Sequence, residues 1–264
     1  MLKSILLFTS LMFLGPLAYA ELQVFPLRVV LTDKDKTAQI ALRHRGTKEE
    51  RYRITTVFYR MGADGSMKAT TDLTKEDADA SSLFRYSPRQ VLLQPNVEQV
   101  VRIMSRVPAD LPDGEYRTHL HFEAMSDPPQ AGQPGGNQAQ MMLIARMAVA
   151  IPVVIKKGQT KVDVALSNFK IQKETDGKLS FVVDIQKSGN GFAYGNFEIV
   201  SIDDQGKETS LATVLGISSY IEKRVAKFPL AVDKIPKGKI KLLFKEPSPE
   251  GDRLLAQVEA SQVP

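Results

Sequence analysis

Alternation of apolar and polar residues with a period of two runs through most of the chain and predicts strands. The most regular stretch is Glu115–Ala124, in which the two faces separate completely. One predicted face holds Tyr116, Thr118, Leu120, Phe122 and Ala124, and the other holds Glu115, Arg117, His119, His121 and Glu123. No segment of ten or more residues keeps a helical period. Short runs separated by Gly-, Pro- and Asp-rich turns therefore predict an all-β protein.

The spacing of these runs predicts two β-sandwiches, for which 264 residues are sufficient. The predicted strands before Gly158 are Leu22–Leu31, Thr37–His44, Arg51–Tyr59, Ser82–Pro88, Val97–Val107 and Glu115–Ala124. Those after it are Val162–Leu166, Leu179–Lys187, Asn196–Ile202, Glu222–Phe228, Lys239–Lys245 and Leu254–Ala260.

The longest apolar run after the N-terminal segment is Gln138–Lys157, which predicts one long strand. Arg146 and Pro152 interrupt the run of apolar residues. Both faces are apolar for part of its length. Such a strand is either buried between two sheets or is an exposed edge that pairs with another chain. The odd-numbered face holds Met141, Leu143, Ala145, Met147, Val149 and Ile151.

The first predicted strand, Leu22–Leu31, carries one unusual charge. Phe25, Leu27, Val29 and Leu31 are predicted to form its apolar face, and Arg28 lies on the opposite face with Val24 and Val30. Pro26 argues for an edge position because proline cannot donate to a sheet ladder.

The N-terminal residues 1–20 predict export. Lys3 is followed by an apolar segment and by Ala18-Tyr19-Ala20, the pattern of a secretory signal cleaved before Glu21. The chain has no cysteine, which excludes disulfides and thiolate metal sites. Its formal charge is +5 with the charges interspersed, so no nucleic-acid surface is predicted. An exported protein without a stable membrane anchor is the expectation.

Candidate catalytic chemistry is sparse. His119 and His121 share a strand face and could start a metal site, but catalytic zinc needs three protein ligands. Neither a phosphate-binding loop nor a nucleophile motif is present. We therefore expect no enzyme activity, no cofactor and no metal, and keep a metal-dependent hydrolase on His119 and His121 only as a hypothesis that metal analysis tests. Binding by strand addition fits the long apolar strand better.

Several stretches resemble the periplasmic pilus chaperones of the chaperone–usher pathway. They are FPLRVVLTDKDKTAQIAL, YRIT, FRYSPRQVLLQPNVEQVVRI, LPDGEYRTHLHFEA and AVAIPVVIKKG, in that order, with weaker similarity in the second half. The resemblance, with a leaning to the archaic, spore-coat-like branch, implies two immunoglobulin-like domains in an L-shape, at 21–158 and 159–264. It also implies a periplasmic protein that donates a strand to pilin-like subunits and delivers them to an outer-membrane usher.

The same resemblance implies roles for particular residues. Donor positions would be Met141, Leu143, Ala145, Met147 and Val149. Arg28 would hold the subunit's C-terminal carboxylate. Pro152 stands where the family has a lysine, so either Arg146 or Lys156 takes that role or Arg28 acts alone. An interdomain ion network would include Arg102, Glu115 and Glu246.

Two functions stay open from the sequence. The first is the chaperone, which would self-associate when free if its donor strand is exposed. The second is a structural or adhesive two-sandwich protein of the cell surface in which the 138–157 strand is core. The two differ in whether Met141 and Leu143 are buried within the monomer.

Overall fold

The computed structural model describes residues 22–125, 147–232 and 234–260. Within these ranges the chain forms seventeen strands and one 3₁₀ turn, Lys75–Asp77. The predicted all-β class is confirmed. The export sequence at 1–20 and the predicted donor positions Met141, Leu143 and Ala145 lie outside the described residues, as does Arg146.

The first half folds as a two-sheet sandwich around one hydrophobic core. Its strands are β1 Leu22–Phe25, β2 Val29–Leu31, β3 Thr37–His44, β4 Glu50–Met61, β5 Met67–Thr70, β6 Phe84–Ser87, β7 Gln90–Leu93, β8 Glu98–Ser105, β9 Gly114–Ala124 and β10 Ala148–Lys157. One sheet has the order β1-β3-β8-β6, and the other has the order β2-β10-β9-β4-β5 with β7 paired to β4. Leu42, Val101, Phe122 and Val153 are among the fully buried side chains between the sheets.

The second half forms a separate sandwich with its own core. Its strands are β11 Asp163–Lys173, β12 Leu179–Ser188, β13 Ala193–Ile202, β14 Glu208–Ser219, β15 Lys223–Leu230, β16 Lys239–Glu246 and β17 Arg253–Glu259. The two sheets run β11-β12-β15 and β14-β13-β16-β17. Phenylalanines dominate this core, with Phe181 and Phe197 packed edge to face. Two stacked sheets per core, antiparallel except for the parallel pair β2–β10, give the layout of immunoglobulin-like sandwiches.

The predicted first strand is wrong in one respect. Instead of one strand, the chain forms β1 in one sheet and β2 in the other, with the change of sheet at Pro26. The buried face changes phase there: Val24 and Val29 are buried, whereas Phe25 and Leu27 are 75% and 70% exposed. Sequence alternation across Leu22–Leu31 hides this switch because both segments keep a period of two.

The second sandwich contacts the first through main-chain and side-chain bonds. The N–H of Val225 donates to the carbonyl of Ala63 (2.7 Å), and the N–H of Glu115 donates to the carbonyl of Asn190 (2.9 Å). The N–H of Phe192 donates to a carboxylate oxygen of Glu115 at 2.9 Å. The ionisable face of β9, which the sequence presents as a polar strand face, is therefore largely buried at this junction.

Candidate functional site

Strand β10 has one complete ladder and one incomplete ladder. On one side, all of Ala148–Lys157 pairs antiparallel with β9. On the other side, β2 runs parallel to β10 and pairs only with Val153, Val154 and Ile155. The segment Ala148–Pro152 thus has no strand neighbour on that side among the described residues. We call this side of Ala148–Pro152 the open edge.

The main-chain N–H and C=O groups of successive residues in a strand point alternately to its two sides, which shows which residues face the open edge. Ala124 donates its N–H to the carbonyl of Met147 at 3.2 Å, so the odd-numbered residues of this segment point their main-chain groups toward β9. Ala148 and Ala150 then point their N–H groups to the open edge. Pro152 belongs to the same set, and its missing N–H therefore removes no bond to β9.

The side chains of this segment separate a core face from an exposed face. Ile151 and Val153 are buried and Val149 packs against the core, whereas Ala148 and Ala150 are exposed. Met147 is odd-numbered, like the core-facing residues Val149, Ile151 and Val153, but its side chain is 63% exposed. Met147 therefore continues the row of core-facing apolar side chains beyond the residues that the sandwich buries.

The open edge leads to Arg28. The parallel register places Val29 opposite Val153, so Arg28 lies beside Pro152 at the point where β2 begins. Arg28 and Pro152 line a cavity of about 620 Å³ with residues of the second sandwich, including Tyr194, Asn196 and Leu215. We call this cavity the cleft.

No acidic side chain is among the described residues that line the cleft with Arg28. Its guanidinium carbon stands 4.1 Å from the centre of the Tyr194 ring. Its Nη1 is buried and has no hydrogen-bond partner among the described residues. A buried donor without a partner is uncommon in native proteins and marks a place where an acceptor belongs.

Two further basic side chains, Arg117 and His119, project from β9 on the same face of the sheet as Arg28. His119 is opposite Pro152 in the β9–β10 register and is 7% exposed, with its ring edge-on to Tyr59 at 4.9 Å. Burial, and then the charges of Arg117 and Arg28, lower the pKa of His119 to about 4. His119 is therefore neutral at pH 7.

Arg117 is the more deeply buried arginine, at 3% exposure. Its guanidinium lies over Phe58 at 4.7 Å and over Tyr220 of the second sandwich at 4.0 Å. Burial lowers its pKa to about 10, so it remains charged. Its Nε and Nη1 have no hydrogen-bond partner in the described parts of the chain. Sequence reasoning missed Arg117, because alternation does not tell which polar face a second domain covers.

The remaining predicted site residues separate into two places. Lys156 Nζ forms an ion pair with the buried Glu115 at 2.7 Å, and both line a second cavity that Glu246 and its partner Arg253 also line. The structure thus brings Glu115 and Glu246 together, with Lys156 in their network and not beside Arg28. Arg102 does not join them, since it projects from β8 in the other sheet.

No cluster of three or more potential metal ligands occurs within the described residues. His119 has its Nδ1 unpartnered there, whereas His121 lies half-buried on the same strand face. Within the same ranges, no helix is long and apolar enough to cross a membrane.

Comparison with known proteins gives similarity of fold. No family model and no curated protein sequence matches the chain. One solved structure that is similar to this chain is the class 5 fimbriae chaperone CfaA, with 14% identity over 92% of this chain and 99% of that chain and a TM-score of 0.48. A second is the archaic CsuC–CsuE chaperone–tip adhesion subunit complex of Acinetobacter baumannii, with 13% identity over 93% of this chain and 100% of that chain and a TM-score of 0.44. A third is the E. coli chaperone DraB, with 13% identity over 91% of this chain and 97% of that chain and a TM-score of 0.43. TM-scores below 0.5 at such identities do not establish a family.

Proposed function

We propose that this protein is a periplasmic chaperone that captures pilin-like subunits by strand pairing at β10 and delivers them to an outer-membrane usher. The observation that carries the proposal is the open edge of β10, which ends at Arg28, whose buried Nη1 has no hydrogen-bond partner among the described residues. The similar solved structures, which are fimbrial chaperones and a chaperone–subunit complex, support the same class of partner.

The direction of the captured strand follows from the position of β2. A partner strand that pairs with Ala148–Pro152 at the open edge would be collinear with β2, which pairs with Val153–Ile155 on the same side of β10. If it runs parallel to β10, its carboxyl end arrives at Arg28. The opposite direction would bring a chain-terminal ammonium to the same arginine, and repulsion between the two cations disfavours it. The geometry therefore favours a parallel strand whose terminal carboxylate pairs with Arg28.

The proposed capture is noncovalent and needs no cofactor. The main-chain groups of Ala148 and Ala150 would supply strand hydrogen bonds, each contributing about 1 kcal/mol. Apolar side chains of the donor face would add about 1.5–3 kcal/mol each on burial in the partner. We propose that the donor face comprises Met147 and Val149 together with Met141, Leu143 and Ala145. Of the three proposed anchors, Arg28 lines the cleft and Lys156 pairs with Glu115, whereas Arg146 lies outside the described residues.

We also propose that residues 21–158 and 159–264 are the two domains, with the export signal at 1–20. Gly158 supports a boundary at this point, since it follows β10 directly and has a φ of +58°. Its N–H donates to Asp33 and the next N–H donates to Asp113, both at 2.9 Å. A Cβ at Gly158 would overlap the Asp113 carboxylate, so glycine is required here.

Co-purification from a periplasmic extract, followed by mass spectrometry, tests the proposal. The wild-type protein and the control variant Arg102→Ala should retain a pilin-like subunit, and Arg28→Ala should lose it. A subunit that remains bound to Arg28→Ala as tightly as to the wild type would contradict the proposal. The structural or adhesive alternative predicts no captured subunit from any of the three proteins.

A further inference from the structure

A tyrosine of the second sandwich lies against the arginine of the first sandwich that ends the open edge. Tyr194 and Arg28 both line the cleft, and the guanidinium carbon of Arg28 is 4.1 Å from the centre of the Tyr194 ring. A guanidinium within about 6 Å of the centre of an aromatic ring is attracted by the electron-rich face of that ring. The second sandwich therefore contacts the proposed anchor directly.

Strand β13 fixes the place of this ring. Its residues Ala193 and Phe197 are buried in the core of the second sandwich, so Tyr194, which is an odd number of positions from each, projects from the opposite face. Just before β13, the N–H of Phe192 donates to a carboxylate oxygen of the buried Glu115 at 2.9 Å. The strand that carries Tyr194 is thus tied to both sandwiches, and a side chain on such an element has a defined position.

An aromatic ring can hold a guanidinium without using its capacity for hydrogen bonds to oxygen. Arginine has five N–H donors and binds a carboxylate through two of them in parallel. An Asp or Glu beside Arg28 would compete for these donors, but the described residues that line the cleft include neither. Nη1 of Arg28 has no hydrogen-bond partner in the described parts of the chain. The contact with Tyr194 therefore leaves donors of Arg28 available to a partner.

A held guanidinium also binds more tightly than a free one. An arginine side chain has many rotamers, and ordering it at the moment of binding costs conformational entropy. A side chain that already lies against a ring has lost part of this freedom before the partner arrives.

We propose that Tyr194 is a positioning residue for the anchor: its contact with Arg28 holds the guanidinium in the cleft with donors free, and so gives the cleft its preference for a chain that ends in a free carboxylate. The proposal rests on the proposed function, which supplies that chain end. It assigns to the second sandwich a part in recognising the partner, although the open edge belongs to the first.

Nuclear magnetic resonance of the free protein tests the contact itself and needs no partner. Protons that lie over the face of an aromatic ring resonate upfield, so the side-chain signals of Arg28 should move downfield in Tyr194→Leu and stay nearly in place in Tyr194→Phe. Arg28→Gln identifies these signals by their loss. Arg28 signals that do not move in Tyr194→Leu overturn the proposal.

Binding of an alternating apolar peptide tests the consequence for recognition. The peptide is prepared with a free C-terminal carboxylate and with a C-terminal amide, and the ratio of the two Kd values gives the preference for the carboxylate. Wild-type protein and Tyr194→Phe should both prefer the carboxylate form. Tyr194→Leu should reduce this preference about fivefold, because a partly desolvated cation–ring contact is lost. In the Arg28→Gln background, Tyr194→Leu should not change the ratio further.

Tyr220→Leu is the matched control. Tyr220 is also a tyrosine of the second sandwich that lies over an arginine of the first, Arg117, at 4.0 Å, and neither is among the described residues that line the cleft. Its loss should leave the preference for the carboxylate unchanged. An equal loss of preference in Tyr220→Leu and Tyr194→Leu would mean that general loosening of the junction is responsible, and it overturns the proposal. Urea titration checks that the variants fold, and Tyr194→Gln replaces Tyr194→Leu if the latter does not.

The outcomes separate this proposal from the proposed function. A preference for the carboxylate peptide that survives Tyr194→Leu unchanged overturns the role of Tyr194 and leaves capture at Arg28 standing. If the wild-type protein binds neither peptide, the proposed function fails, and the role of Tyr194 in recognition fails with it.

Discussion

The two halves of β10 both begin with apolar residues but have different environments. Val153–Lys157 continues a sheet in which β2 and β9 cover most of both edges, and Val153, Val154 and Ile155 are buried. Ala148–Pro152 keeps the β9 ladder but has the open edge on its other side. The difference arises because β2 is only three residues long and begins after Arg28. One end of β10 is thus paired on both sides, whereas the other end pairs with β9 alone among the described strands.

A buried charge in the second half should have the largest effect on folding. Val153 has no exposed surface, so Val153→Asp places a carboxylate between the sheets without a partner. We expect a loss of about 4 kcal/mol or more in the free energy of unfolding, measured by urea titration. The control Ala148→Asp, at an exposed position of the first half, should stay within about 0.5 kcal/mol of the wild type.

Proline substitutions distinguish the two edges within the first half. Val149→Pro removes an N–H that points to β9 and should cost about 3 kcal/mol or more in unfolding free energy. Ala150→Pro removes an N–H that points to the open edge and should cost about 1 kcal/mol or less. Its effect should instead appear as about fivefold weaker capture of the co-purified subunit, for the loss of one strand hydrogen bond. Equal loss of stability in the two variants would mean that the open edge is already paired.

His119, beside the boundary of the two halves, should make the fold sensitive to acid. The folded pKa of about 4 lies below the unfolded value of about 6.5, so the unfolded state binds protons first as pH falls. Stability should therefore fall between pH 6.5 and pH 4 by up to about 3 kcal/mol and level off below pH 4. Urea unfolding of His119→Gln across this range should show a correspondingly smaller fall, and identical pH profiles would contradict the burial of a neutral His119.

Met147 should affect capture and leave the fold nearly unchanged. Because its side chain is 63% exposed, Met147→Glu should alter the free energy of unfolding by less than about 0.5 kcal/mol. If Met147 enters the partner's groove, the same variant should weaken capture about tenfold or more, since about 1.5–3 kcal/mol of apolar burial is lost. Met67→Glu, at another exposed methionine, provides the matched control.

Sequence patterns predicted the class of fold well, because strand alternation is local. Tyr52, Ile54 and Phe58 lie two or four residues apart in the predicted strand Arg51–Tyr59, and all three are buried on one face of β4. The strand β14 was missed, because polar residues such as Glu208, Thr209 and Ser210 begin it and no regular alternation marks it. It is held by pairing with β13, which the local pattern does not show.

The candidate site was predicted only in part. Arg28 stood out as a charge on an apolar strand, and it lines the cleft, where the described residues include no Asp or Glu. The open edge itself was not predictable, since it depends on where β2 begins and on the change of sheet at Pro26. The local pattern does not show the burial of Arg117, because its cover includes Tyr220, which is more than a hundred residues away in the chain.

Residue-resolved hydrogen exchange of the β10 amides tests the central claim most directly. In the free protein, the amides of Ala148 and Ala150 should exchange rapidly, whereas those of Val153 and Ile155 should be protected. On binding the co-purified subunit, Ala148 and Ala150 should become protected. Amides of Ala148 and Ala150 that are already protected in the free monomer, or that still exchange rapidly in the complex, would contradict capture at the open edge.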